Sequence, residues 1–295
     1  MDILFEQAHG LGNEYIKINF NENPIEMIPK MEITFDKLHG LGNDYIYINL
    51  DEHPLQDISE FAKTYSPRRI GIGGDGVVTY NREPSGNYLM RIFNQDGSEG
   101  MMCGNAIRCV AKLLYERGLC RKNPMTINTQ SGEKVLSLVI SNGIVTDAKV
   151  DMGCPKIYDP HKTIDDIEGV WVSIGNPHFV HFIETDLNDY PLETIGPKIE
   201  HSPIFEGGIN YEVARITDKH NIEMRVWERG SGLTMACGTG ATATGVAAIR
   251  LGIVDSPVKV SMPGGSLVID WGGSETLSAF MTGPATYVFQ GKVNV

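Results

Sequence analysis

The sequence has no apolar run long enough to span a bilayer, and its opening, Met1-Asp2-Ile3-Leu4-Phe5-Glu6-Gln7, lacks the basic-then-apolar pattern of an export signal. The expected location is the cytoplasm, with no membrane partner. Cationic excess is missing too: 25 Lys and Arg stand against 37 Asp and Glu, a formal net charge of -12. Polyanion binding needs clustered cations to neutralise phosphates, so nucleic acid is excluded as a partner and a small molecule is expected. There is no pair of C-x-x-C motifs and no H-E-x-x-H, which leaves no metal site in view. Cysteine is scarce, at five residues, and an odd set in a chain of this size reads as reduced thiols rather than a disulfide framework. What remains, 41% hydrophobic and 21% charged over 295 residues, is an ordinary globular composition of a length that favours two domains.

Sliding the chain on itself exposes an internal repeat. At an offset of 134, the segment Met90 to Gly104 (MRIFNQDGSEGMMCG) overlies Met224 to Gly238 (MRVWERGSGLTMACG) without a gap. Upstream, Gly42-Asn43 precedes Cys103 by nearly the distance at which Gly175-Asn176 precedes Cys237. Two halves on one plan are expected to pack about a pseudo-two-fold axis, with Cys103 facing Cys237. A second repeat lies at the start, where Phe5 to Pro24 echoes Phe35 to Pro54 and Met31 reads like a second beginning. Residues 1–30 are treated as an appendage: an added edge strand, an unstructured extension or a remnant of cloning.

Around each of these cysteines the pattern is strand, turn, helix. Tyr88 to Phe93 reads as a strand, Asp96-Gly97-Ser98 as a turn, and Asn105 to Arg117 as a helix with a wide apolar face, stopped by Gly118. In the second copy a strand through Met224 to Trp227 leads to a helix from Thr239 to Leu251, ended by Gly252. Its small residues, Ala241, Ala243, Gly245, Ala247 and Ala248, suggest a helix closely surrounded by backbone. The fold class is therefore α/β (α+β), two pseudo-symmetric domains, each a curled mixed β-sheet around a central helix.

A thiol immediately before a helix lies where backbone N–H groups are unpaired and the helix end is partially positive, which favours thiolate. A free Cys titrates near ~8.5 and helix N-termini lower it, so a deprotonated base near neutral pH is expected. Two thiols on opposite sides of one carbon supply what inversion requires: one removes a proton and the other delivers one to the opposite face. The N–H groups of Gly104, Asn105, Gly238 and Thr239 are suited to holding a substrate carboxylate. Cys109, Cys120 and Cys154 are read as structural, buried cysteines. The segment Gly71-Ile72-Gly73-Gly74-Asp75-Gly76 formally matches a dinucleotide fingerprint, but a strand rather than a helix follows, and that reading is rejected. His39 and His178, beside the Gly-Asn pairs, suit hydrogen-bonded structural roles as well as catalytic ones.

Taken in order, His39-Gly-Leu-Gly-Asn-Asp44, Gly71 to Gly76, Phe93-Asn94, Met102-Cys-Gly-Asn105, Gly175-Asn-Pro-His178, Asn210, Glu228-Arg-Gly230 and Ala236-Cys-Gly-Thr-Gly240 resemble diaminopimelate epimerases from Met31 onward. The resemblance implies an isomerase that interconverts LL- and meso-2,6-diaminopimelate with Cys103 and Cys237 as its two bases, in lysine and peptidoglycan precursor synthesis. It implies no cofactor, neither pyridoxal phosphate nor metal. The implied domains are residues 31–147 with 283–295, and 148–282, the final strand near Ala285 to Gly291 returning to the first domain. By the same resemblance Asn43, Asn94, Asn176, Asn210, Glu228 and Arg229 bind the amino-acid groups of the substrate, Arg229 holding the distal carboxylate. His178 and position 76 are supporting candidates; Gly76 stands where some members carry Gln, which puts one hydrogen bond to substrate in doubt. A homodimer is compatible with this reading.

The runner-up is a proline or hydroxyproline racemase, similar in fold and thiol pair, which usually has His where this chain has Asn105. Glu228-Arg229 argues against it, because a cyclic amino acid has no second charged end. A thiol redox protein or amino-acid-binding module, with Cys103 and Cys237 merely forming a disulfide, lacks a C-x-x-C.

Overall fold

The computed structural model describes residues 31–295 and the backbone of residues 4–10 and 13–19. Contacts divide the chain into two compact units, Met1–Thr34 with Lys292–Val295, and Phe35–Gly291. In the first, strands Leu4–Gly10 and Asn13–Asn19 form a two-stranded antiparallel hairpin with Gly10 opposite Asn13. That is the register of Glu32–Gly40 against Asn43–Asn49, where Gly40 stands opposite Asn43, so the duplicated sequence makes the same hairpin twice. The rest of the predicted appendage, and the side chain of Asn13, lie outside the described residues. Met31 and Val295 exchange both backbone hydrogen bonds (3.1 and 3.0 Å), and Lys292 pairs with Glu32 at 2.7 Å.

The second unit is a sheet whose two halves repeat one pairing scheme. In the first half, Asn43–Asn49 runs parallel to Gly76–Arg82, which is antiparallel to Tyr88–Asn94. That strand carries the short Glu99–Gly100 at one end and Met125–Thr129, parallel, at the other. Gly132–Ser141 and Ile144–Asp151 then follow as antiparallel neighbours. In the second half the series is Ile167–Ser173, Pro177–Phe182, Asn210–Asp218, Asn221–Glu228, Gly232–Thr234, Val258–Met262, Gly265–Asp270 and Phe280–Pro284, with the same alternation of parallel and antiparallel pairs.

The halves join where Ile144–Asp151 lies antiparallel to Phe280–Pro284. Ala148 opposes Gly283 and Lys149 opposes Thr282, pairs that the 134-residue offset interchanges. The outer strands are also matched: Lys156–Ile164 pairs with Ile167–Ser173, and Thr286–Asn294 runs beside Glu32–Gly40, with Phe289 edge-on to Phe35 at 6.0 Å and Tyr287 donating to Asp36. The final strand thus returns to the first half.

Among the described residues there are four helices, α1 (Ile58–Tyr65), α2 (Gly104–Glu116), α3 (Leu192–Glu200) and α4 (Gly238–Arg250), of which α2 and α4 lie in the main core. The apolar face of α2 buries Ile107, Val110 and Leu114 completely, each contributing roughly 1.5–3 kcal/mol relative to exposure. It stops where Gly118 takes φ +73 and the amides of Leu119 and Cys120 turn back to the Leu114 carbonyl. In α4 the alanines are buried and Gly245 is obligatory: a Cβ there would sit 2.8 Å from Ile269. Both helices begin one residue earlier than the sequence pattern suggests, which makes Cys103 and Cys237 themselves the N-cap residues, with extended backbone (φ -134 and -130). Among the described residues no helix is long and apolar enough to cross a membrane.

Candidate active site

The two helix starts meet. A Cβ on Gly238 would lie 3.9 Å from the Cα of Gly104, and the thioether of Met281 reaches both glycines, so a side chain at either position would have to displace that thioether. The preceding cysteines are thereby brought to one place. Cys103 is half-buried and its Sγ donates to the Asn43 Oδ1 at 3.3 Å. Cys237 is 5% exposed; its Sγ accepts from the Gly240 amide at 3.4 Å and lies 3.5 Å from the Thr239 hydroxyl.

The expectation of thiols acidified by their helix ends is corrected by their burial. Desolvation pushes the Cys103 thiol up, and the N–H groups of Ala106 and Asn105, with the Arg108 guanidinium, offset only part of this. Cys237 is pushed well up by burial and then by the Glu228 and Glu212 carboxylates. The helix ends are present, but they do not outweigh the lost water.

Of the residues assigned to substrate binding, Asn43, Asn105, Asn176 and Thr239 are linked to these thiols by hydrogen bonds and Glu228 faces both, whereas Asn94, Asn210 and Arg229 bond elsewhere. Asn43 is held by its Nδ2 bond to Asp75 (2.7 Å), and its Oδ1 also receives the Asn105 Nδ2 at 3.3 Å. Asn176 donates to the Thr239 hydroxyl at 3.3 Å and lies 3.1 Å from the His178 Nε2. Asn210 donates to the Pro177 carbonyl and accepts the Arg229 amide at 2.9 Å. Glu228 accepts from the Thr234 hydroxyl. Arg229 is exposed, with its Nη1 on the Gly207 carbonyl at 3.1 Å, which leaves its guanidinium fork largely open. Asn94 is exposed and bonds the Ser98 hydroxyl at 3.0 Å.

His178 is fully buried, 2.7 Å from Glu212, whose carboxyl burial pushes up in spite of that partner. His39 only accepts the Gly42 amide, 3.2 Å away in its hairpin turn. At Gly76 a Cβ would strike the Phe93 carbonyl oxygen at 2.0 Å, so the strands here close over the place where a Gln side chain would begin. Of the three cysteines expected to be buried, Cys109 is buried and Cys120 half-buried, whereas Cys154 is exposed, because it follows Asp151-Met152-Gly153 out of the sheet.

Sequence reasoning passed over several residues. Asp75 sits in the glycine-rich segment rejected as a dinucleotide site, and it anchors Asn43 while pairing with Arg68. Glu200 fixes the turn that carries Arg229 by accepting from the Trp227 indole and the Gly230 amide, both at 2.7 Å. Arg108, Glu212 and Met281 reach the site from buried positions. Arg108 had a usable signal, as a cation interrupting the apolar face of α2; Met281 had none, since its role depends on the closing of the sheet.

The fold and the paired thiols define an isomerase. A family model for diaminopimelate epimerase matches residues 35–158 and 170–288. The diaminopimelate epimerase of Acetivibrio thermocellus is 43% identical, with 99% of this chain and 98% of the relative covered. That of Methanococcus maripaludis (strain S2 / LL) is 42% identical, with 99% of each covered. Solved structures carry the same fold at much lower identity. A phenazine biosynthesis protein of Bacillus anthracis superposes with a TM-score of 0.69 at 16% identity, covering 90% of this chain and all of that one (100%). A probable proline racemase of Agrobacterium radiobacter superposes with a TM-score of 0.65 at 14% identity, covering 88% and 92%. The chain belongs to the diaminopimelate epimerase family.

Proposed function

We propose that the protein interconverts LL- and meso-2,6-diaminopimelate by two-base proton exchange between Cys103 and Cys237, and so serves lysine and peptidoglycan precursor synthesis in the cytoplasm. The observation that carries this reading is the meeting of the two helix starts, with Gly104 against Gly238 and a cysteine capping each.

One cysteine, as thiolate, takes the α-proton; the electron pair it leaves is delocalised into the substrate carboxylate, whose oxygens face the N–H groups at 104, 105, 238 and 239. The other thiol gives its proton to the opposite face, and the inverted product leaves with the two sulfurs' protonation exchanged. Burial disfavours thiolate, and the substrate's ammonium offsets this, because a cation beside a sulfur favours its anionic form. Asn43, Asn94, Asn176 and Asn210 supply hydrogen bonds, Glu228 pairs the ammonium, and Arg229 takes the distal carboxylate through its free fork. His178 keeps Asn176 oriented. No step calls for a cofactor or a metal. Residues 31–147 with 283–295, and 148–282, are the two lobes of this site, and the working form is a homodimer.

Proton NMR of LL-diaminopimelate in deuterated water tests the reading. Loss of the α-proton signal with appearance of meso product, absent in Cys103→Ala and Cys237→Ala, is the expected result. Exchange of proline in its place would transfer the assignment to the racemases. No exchange with any amino acid would leave a binding or redox protein.

A further inference from the structure

Among the buried positions at which the two matched helices differ, one close to the cysteine caps sets a charge against a hydroxyl. By the 134-residue offset Arg108 corresponds to Thr242, and each bonds the carbonyl of the glycine that starts its helix: Arg108 Nη1 to Gly104 at 2.9 Å, Thr242 Oγ1 to Gly238 at 2.8 Å. The backbone task is therefore done in the second half by a hydroxyl. Arg108 does more. Its Nη2 donates to the Asn105 Oδ1 (2.8 Å), its Nε to the Pro284 carbonyl (3.1 Å), and its Nη1 lies 3.9 Å from the Met281 sulfur.

The guanidinium is fully buried, and among the described residues no carboxylate lies within ion-pair distance of it. A buried cation without an ion-pair partner is expensive, the nearest opposing charge being Asp147 of Ile144–Asp151, and here the guanidinium reaches back over the first turn of α2, where the helix dipole disfavours positive charge. As a helix stabiliser it is at the wrong end. It is at the right end to favour an anion on the N-cap sulfur.

The charges facing the two thiols differ in balance, one of each sign at Cys103 and two carboxylates at Cys237. Cys103 is faced by Arg108 from α2, by Glu228 from the strand Asn221–Glu228, and by the neutral hydroxyl of Tyr45 from Asn43–Asn49; Asn43 accepts its proton. Cys237 is faced by Glu228 and Glu212, the latter held on His178, and has no buried cation in the place of Arg108.

We propose that Arg108 is a positioning residue that makes Cys103 the more acidic of the two thiols, so that the resting enzyme carries its base at Cys103 and its acid at Cys237. This rests on the proposed acid and base roles, yet it is read without substrate. In the reduced full-length protein, the rate of iodoacetamide alkylation of each cysteine is followed against pH by peptide mass spectrometry. The rate reports the thiolate fraction, and the position of the pH profile separates acidity from accessibility.

The Cys103 profile is expected at lower pH than that of Cys237. In Arg108→Met it moves upward, with at least about a threefold loss of Cys103 rate at pH 7.5, and Arg108→Lys restores most of it. Should Arg108→Met not fold, Glu212→Gln reads the same asymmetry from the other side by moving the Cys237 profile downward. A Cys237 profile at or below that of Cys103 in the wild type, or profiles unmoved in these variants, would overturn the proposal. Failure of diaminopimelate to exchange in deuterated water, with the two profiles separated as stated, would instead remove only the substrate assignment.

Discussion

Around Cys103 the sequence places a buried guanidinium and amides; around Cys237 it places buried carboxylates and hydroxyls. The backbone beneath the two is the same: strand, short turn strand, cysteine cap, helix of 13 residues, parallel strand. The contrast continues at the rim. Asn94 and Gln95 of the first half occupy the places that Glu228 and Arg229 hold in the second, and Gly76 occupies that of Asn210. Duplication thus supplied one geometry twice, and the charges placed on it diverged, amides in the first half standing where the second carries a carboxylate and a guanidinium.

The largest expected effect comes from erasing the thiols. Cys103→Ala and Cys237→Ala should each lower the epimerisation rate by about 10³-fold or more, since each removes one of two proton-transfer groups. Oxidation that closes a Cys103–Cys237 disulfide should act similarly and be reversed by dithiothreitol; full activity after stoichiometric closure would contradict the mechanism. At the rim, Arg229→Lys keeps the charge but loses the fork, so KM should rise by about 10- to 100-fold with kcat much less affected. Equal KM values for the two proteins in steady-state assays would remove Arg229 from the carboxylate site.

Smaller effects test how far the halves have drifted apart. Gly76→Gln should lower thermal stability by about 1–3 kcal/mol, because its Cβ meets the Phe93 carbonyl; a stability equal to the wild type would mean that the strands part easily. The smallest effect concerns the cluster of Lys37, Asp44, Arg68 and Asp75 in the first half. Burial pushes the Asp44 carboxyl up, but the bonds from Arg68 and Lys37 prevail and hold it below its usual 3.8. Its contribution is therefore present above that pH and lost as pH falls through the lower folded-state value. Asp44→Asn should be less stable by about 1 kcal/mol at pH 7, with the gap closing in strong acid; a gap constant with pH would show that charge is not its source.

The strand-turn-helix units around both cysteines were legible in the sequence because they rest on local signals: alternation, a turn at Asp96-Gly97-Ser98, an apolar helical face, a terminal glycine. The self-match made the pair conspicuous where either cysteine alone would not have been. The acidity of the thiols was not legible, since it depends on burial and on Glu212 and Glu228, which arrive from strands more than 100 residues beyond Cys103. The exposure of Cys154 was likewise invisible, because composition gives a cysteine's usual burial and not the path of the loop that carries it. The hairpin of Leu4–Gly10 and Asn13–Asn19 was not foreseen, since the repeat alone left a strand, an unstructured extension and a cloning remnant open; its register matches that of its duplicate.

Met281 lies where the two helix starts meet, touching Gly104 and Gly238 alike, and the matching place in the first half is Asp147. An axis that passes beside one unpaired side chain cannot relate the halves of the molecule to each other at that point. The duplicated chain therefore departs from two-fold symmetry where its helix starts meet. One thioether thus packs against both helix starts with no counterpart on the other side, and the repeat is broken at the place where its two copies come closest.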